Sequence, residues 1–144
     1  MSSLINKVLF TRAGFGLTAI RIVVGIIFAA HGAQKLFGMF GGYGIAGTAQ
    51  YMESLGLAPG HLMAILAGGT EFFGGLALII GLLTRPAALG LTFLSLVAIF
   101  SVHIHNGLFM ANNGYEFALA LLGGSIAVLI EGAGKLSLDR AITD

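Results

Sequence analysis

The sequence predicts an all-α protein, a transmembrane four-helix bundle of one domain (1–144) with both termini cytoplasmic. Three observations predict it. Of 144 residues, 57% are apolar and 9% charged, against roughly 45–50% and about 25% in soluble domains, and the mean hydropathy is +0.98. So little polar surface cannot cover a water-facing exterior, and the apolar surplus must face lipid. Four stretches, 15–37, 61–83, 86–104 and 115–133, each supply about the 20 mostly apolar residues needed to cross a hydrocarbon core of about 30 Å. Finally, Lys and Arg outside the stretches gather on one side, and short basic connections stay cytoplasmic.

Span one (15–37) follows Lys7 and Arg12. A cleaved signal peptide shares that layout, but Arg21 would fall inside its apolar region, and the run is long enough to cross. The Gly-rich connection 38–60 carries Glu53 and ends in Pro59–Gly60, so it reads as extramembrane, with room for a short amphipathic helix. In "LLTRPAAL", Pro86 lacks an N–H, which costs nothing in the first turn of a helix. Spans two (61–83) and three (86–104) therefore form a tight hairpin around Thr84–Arg85. "HNGLFMANNG" (105–114) holds two turn signals and separates span three from span four (115–133). Lys7, Arg12, Arg85, Lys135 and Arg140 then lie on one face of the membrane and Lys35 alone on the other. The 38–60 and 105–114 connections should face outward.

Composition excludes several function classes. A formal net charge of +1 leaves no basic stripe for nucleic acid. With no cysteine, disulfides, thiolate nucleophiles, iron–sulfur clusters and c-type haem attachment are ruled out. Any redox chemistry needs a borrowed cofactor.

Chemistry must come from the ionisable groups in the spans, each costing about 2.5 kcal/mol or more to insert and usually turned to a bundle interior. They are Arg21, His31, Lys35, Glu71, His103 and Glu116, with His105 and Glu131 near span ends. At about 100° per residue, Arg21, Gly25, Phe28, His31, Gly32 and Lys35 share one stripe of span one, which should face the other helices. Glu71 stands among Gly68, Gly69, Gly74 and Gly75, small residues that let helices approach. By helical rise, His31 and Glu71 lie roughly 9 Å and 16 Å below the outer surface and Arg21 roughly 24 Å. The outer half of the bundle should therefore collect His31, Lys35, His103, His105, Asn106 and Glu116 above Glu71, forming a polar pocket, while Arg21 and Glu71 form a structural ion pair between spans one and two. Plainer readings stand beside this one: a snorkelling Lys35, satisfied core or interface histidines, and a Glu116 that only favours its helix N-terminus. A metal site fits less well, because His103 and His105 are two residues apart and point to nearly opposite sides of a helix; it would need His31, Glu71 or Glu116, and one of that pair.

With these residues placed, the chain resembles the DoxX family of small four-helix bacterial membrane proteins, from about residue 15 to 139. The resemblance rests on "RIVVGIIFAAHGAQKLFG", "GGTEFFGGLALIIGLLTRPAALGL", "HIHNGLF" with "NGYEFALALL", and "GAGKLSLD", in that order. It implies a multi-pass protein of the bacterial inner membrane. It also implies a link to redox systems: the family takes its name from a membrane subunit of an archaeal thiosulfate:quinone oxidoreductase, and some relatives are associated with thiol-oxidation complexes. Arg21, His31, Lys35, Glu71, His103, Asn106 and Glu116 coincide with the family's recurrent motif positions. "HGAQKLFGM" and "HIHNGLFM" are also similar to each other, which is consistent with a parallel repeat.

Three functions compete. A quinone needs an apolar groove, donors for its carbonyl oxygens and groups that carry protons; His31 and Lys35 could donate, and Glu71 or Glu116 could relay. This makes the chain a quinone-associated or accessory subunit of an oxidoreductase system, since it has no haem, cluster or nucleotide site of its own. A small-solute or anion transporter would use the same basic cluster, as an oligomer. A non-catalytic anchor would dock a soluble oxidoreductase, with "KLSLDRAITD" (135–144) as its tail. Under each reading, the glycines of "GGTEFFGG" and "LLGGS" suit a homo-oligomer.

Overall fold

A computed structural model describes residues 3–10 and 14–143. Seven α-helices follow in order among them: α1 Ser3–Leu9, α2 Phe15–Phe37, α3 Gly44–Ser54, α4 Gly60–Ile80, α5 Thr84–Ala98, α6 Glu116–Glu131 and α7 Leu138–Thr143. No strand occurs among the described residues. Arg12, counted above with the basic residues, lies outside them. Three helical runs are long and apolar enough to cross a membrane: Phe15–Phe37, Gly60–Ile80 and Thr84–Asn106. The fourth, α6, has 16 residues, three fewer than the sequence suggests.

Helix ends follow local chemistry. Gly38 and Gly81 adopt the left-handed conformation that glycine reaches without strain, and their N–H groups close α2 and α4 on Gln34 O at 3.2 Å and Ala77 O at 2.8 Å. The α4–α5 hairpin turns at Gly81–Leu83, slightly before the expected Thr84–Arg85, and Pro86 sits in the first turn of α5, where its missing N–H costs nothing. Two of the orphan N–H groups of that turn, on Leu83 and Thr84, donate to the Asp139 carboxylate at 2.8 and 2.9 Å. Past Ala98, α5 widens into a π turn, Ile99–His103, and ends in a 3₁₀ turn, Ile104–Asn106.

The four longer helices touch in a ring: α2 on α4, α4 on α5, α5 on α6, α6 on α2. The α2–α4 seam is the most extensive and α2–α6 the thinnest. Glycine makes the first possible: a Cβ on Gly25 would stand 2.8 Å from Gly75 O, and one on Gly32 would strike the Phe72 backbone. Phe28, Leu78, Leu91, Leu121 and Val128 fill the centre of the ring. Phe73, Phe93, Phe100 and Ile130 point outward, 63–67% exposed, as side chains bathed in lipid do. The amphipathic segment expected within 38–60 is α3, which buries Thr48 and Ala49 against α2 and α4.

The beginning and end of the chain meet at one end of the ring. Lys135 N–H donates to Gly14 O at 3.4 Å and Leu136 N–H to Thr18 Oγ1 at 3.3 Å. Arg85 ties Phe10 O to Leu129 O and Ile130 O at 2.7–3.3 Å. The segment read as a docking tail is therefore built into the fold, and Asp139 is only 1% exposed. The two similar His-Leu-Phe-Met segments differ locally: "HGAQKLF" is α-helical to Phe37, whereas "HIHNGLFM" leaves the helix at Gly107.

Candidate functional site

At the other end of the ring, between all four longer helices, lies a cavity of about 270 Å³. α2 contributes His31 and Lys35, one turn apart, and α4 contributes Glu71. Lys35 Nζ donates to Glu71 Oε2 at 2.9 Å. The carboxylate is 7% exposed; a charge so placed needs its partner, because burial alone would cost several kcal/mol. His31 packs its ring against Phe117 of α6, centroids 5.9 Å apart, and its Nδ1 is buried with no hydrogen-bond partner.

His103 reaches the same cavity from α5, and the π turn explains how. Eight residues of plain α-helix separate it from Ser95 and would carry it about 80° round the axis. A π turn, bonded i to i+5, advances fewer degrees per residue and brings His103 back to the Ser95 face. Its Nδ1 meets Asn113 O at 2.9 Å. A carbonyl only accepts, so this nitrogen carries the proton and, in the neutral ring, leaves Nε2 with its lone pair.

Of the seven residues expected in the pocket, the structure brings together His31, Lys35, Glu71 and His103. Asn106 and Glu116 are exposed and hold the 105–114 connection in shape. Asn106 Nδ2 donates to Val102 O and Asn113 O at 3.3 and 3.1 Å, while Glu116 Oε2 accepts the Met110 N–H at 2.7 Å; that connection places Met110 at the cavity. His105 is exposed and apart from it. No three His, Cys, Asp or Glu side chains cluster to hold a metal among the described residues.

The expected Arg21–Glu71 ion pair is corrected. Arg21, 2% exposed, donates to Ala133 O at 2.6 Å and packs beside Gly81. Gly81 lies ten residues beyond Glu71, roughly 15 Å along the helix, too far for a guanidinium there to reach the carboxylate. Lys35, at the cavity end of α2, is the partner instead, so it does not snorkel. The acidic group acting on Arg21 is Asp139, which the sequence reading missed. Its signal was an acid in the first turn of an unremarked short helix, the last residue of the quoted "GAGKLSLD".

Residues 16–104 match the DoxX family. The chain belongs to that family. This DoxX chain is 35% identical over 133 residues to "Inner membrane protein YqjF" of Escherichia coli (strain K12), covering 88% of this chain and 92% of that protein. It is 33% identical to "Inner membrane protein YphA" of the same organism, over 83% and 85% of the two chains. It is also 32% identical to "Putative oxidoreductase CatD" of Bacillus subtilis (strain 168), over 86% and 84%. No solved structure matches it. Family and apolar helices together make it a multi-pass protein of the bacterial inner membrane.

Proposed function

We propose that this DoxX chain crosses the membrane four times with both ends cytoplasmic and serves an oxidoreductase system as a quinone-holding subunit. Support for the topology comes from the meeting of Gly14 with Lys135 at one end and from Lys7, Arg85, Lys135 and Arg140 gathered there, as short cytoplasmic segments require.

One observation carries the quinone reading: an ion pair of 2.9 Å, beside a histidine with an unpartnered buried nitrogen, set in a cavity whose wall includes Phe28, Leu94, Phe117 and Leu121 together with Ser95 and His103. An apolar pocket with few convergent polar groups is the form of a small-molecule site, and the residues present fit a flat ring bearing carbonyl oxygens. Lys35 and His31 would hold those oxygens as donors. Glu71 would keep a proton within reach of them, His103 offers Nε2 on the outer side, and the aromatic walls exclude water. A bound quinone would supply the two-electron chemistry that no side chain of this protein has. The name of the Bacillus relative supports a redox setting, and the electrons would pass to or from a separate soluble partner.

Calorimetric titration of the purified protein in nanodiscs with decylubiquinone tests this. Saturable binding above that of empty nanodiscs, weakened at least tenfold by His31→Ala, is the expected result. Heats equal to those of empty nanodiscs would overturn it.

A further inference from the structure

We infer that the cavity is matched to the reduced form of its ring, a quinol with two hydroxyl donors, in preference to the oxidised quinone. The inference rests on the quinone reading and deepens it by naming the redox form that the site selects.

The preference follows from where the protons of the cavity already go. The wall given by α5 and the 105–114 connection carries three polar side chains, Ser95, His103 and Met110, and none has a proton to offer. Ser95 is 4% exposed, and its one hydroxyl proton is donated to Leu91 O at 2.8 Å, so the oxygen presents lone pairs alone. His103 donates from Nδ1 to Asn113 O at 2.9 Å, a carbonyl that Asn106 Nδ2 holds as well at 3.1 Å. Nε2 of the neutral ring is then an acceptor. The Met110 thioether accepts weakly and donates nothing. The π turn at Ile99–His103 matters here, because it brings the two α5 acceptors to the same cavity.

The α2 and α4 side is permissive. An ammonium carries three protons, so Lys35 keeps donors beyond the one given to Glu71 Oε2 at 2.9 Å, and Glu71 Oε1 still accepts. A carbonyl oxygen there accepts from Lys35; a hydroxyl accepts from Lys35 and donates to Glu71. On the α5 side the choice is one-sided. A carbonyl oxygen would set lone pairs against lone pairs, whereas a hydroxyl donates to Ser95 or His103. Buried polar groups that a ligand leaves unpaired are a strong source of discrimination between ligands of the same shape.

The test is calorimetric titration of the full chain in nanodiscs at about pH 8, where imidazoles are ordinarily neutral. The probes are decylubiquinone and decylubiquinol, the second kept reduced by dithionite under argon, each expressed as mole fraction in lipid. With no cysteine, the chain has no disulfide for the reductant to break. The wild type should bind the quinol about tenfold more tightly than the quinone. His103→Phe removes one acceptor and should bring the two affinities within about threefold of each other. Ser95→Ala removes the other, should do the same, and serves if His103→Phe fails to fold. The ring ¹⁵N spectrum of histidine-labelled protein, with His103→Phe to assign the signal, should show the proton of His103 on Nδ1. Equal affinity of the wild type for the two forms, tighter binding of the quinone, or a His103 proton on Nε2 overturns the preference and leaves the cavity reading standing. So does a preference that both variants keep in full, since the α5 acceptors would then have no part in it. Neither form binding the wild type overturns the cavity reading itself, and the preference with it.

Discussion

At the scale of single residues, the decisive group is Glu71, because its carboxylate answers both for the fold and for the cavity. Removing its charge by Glu71→Gln leaves Lys35, 27% exposed at its side chain, without its counter-charge. A fully buried pair broken in this way costs about 3–5 kcal/mol, and the part-exposed lysine brings the expected loss to about 2 kcal/mol, read as a lower midpoint in SDS-induced unfolding. Replacing both partners by apolar residues of similar volume, Lys35→Met with Glu71→Leu, should restore most of that stability. It should not restore quinone binding, and this contrast separates the pair's structural role from its role toward a ligand. A double variant that binds decylubiquinone like the wild type would remove the pair from the site. Asp139 poses the same kind of question at the other end of the ring. It caps the first turn of α5 through two N–H groups and acts on Arg21; Asp139→Ala should cost about 0.5–2 kcal/mol by the same assay and leave quinone affinity unchanged. The sequence showed that Arg21 and Glu71 needed partners, since charges in lipid do. It did not show which, because partner choice depends on depth differences of two or three helical turns, and Asp139 becomes reachable only once the chain's end folds back.

Elements were legible in proportion to how much of their cause is local. The long apolar runs, the Gly-rich breaks and Pro86 gave α2, α4 and α5 to within a few residues, and the stripe holding Gly25, Phe28 and Gly32 is indeed the buried side of α2. The π turn at Ile99–His103 was not legible: nothing in "IFSVH" departs from an ordinary helix, and the wide turn is fixed by the outer connection that Asn113 O pins through His103 and Asn106. The two short helices α1 and α7 were missed because their few turns are held by Arg85, Asp139 and one another rather than by pattern. Glycines in this chain serve two purposes, and substitution can tell them apart. Gly32→Ala drives a methyl into the Phe72 backbone and should cost about 1–3 kcal/mol, the range for overpacked sites. Gly69→Ala meets nothing within 4 Å, and the gain in helix propensity, up to about 1 kcal/mol, should leave stability unchanged or raised. Paired SDS-unfolding titrations check both. Equal losses would mean that the α2–α4 seam is not the close-packed contact described.

For the whole molecule, the arrangement is polar in the directional sense. One end of the ring is closed by Arg85, Arg21 and Asp139, and the other holds a cavity that His103 and Met110 border. If the closed end is cytoplasmic, any proton the cavity groups give up or take must exchange with the outer face, so topology decides the direction of the chemistry. The absence of cysteine makes this directly measurable, because an introduced thiol is the only one in the chain. Ala111, exposed in the 105–114 connection, and Ala141, exposed on α7, are suitable positions for the label. In intact spheroplasts a membrane-impermeant maleimide should label Ala111→Cys and not Ala141→Cys, and lysis should expose the second. The opposite pattern would put the basic cluster outside, against the rule that places it in the cytoplasm, and would turn the cavity to the cytoplasm, so that a soluble partner could then meet the ligand at the open end directly. Labelling of both in intact spheroplasts would mean that α6 does not cross, leaving three crossings with α7 outside. The expected pattern leaves a soluble partner only the sealed face to dock on, roughly 15 Å along α4 from Glu71, and restricts it to exchanging the quinone through the lipid.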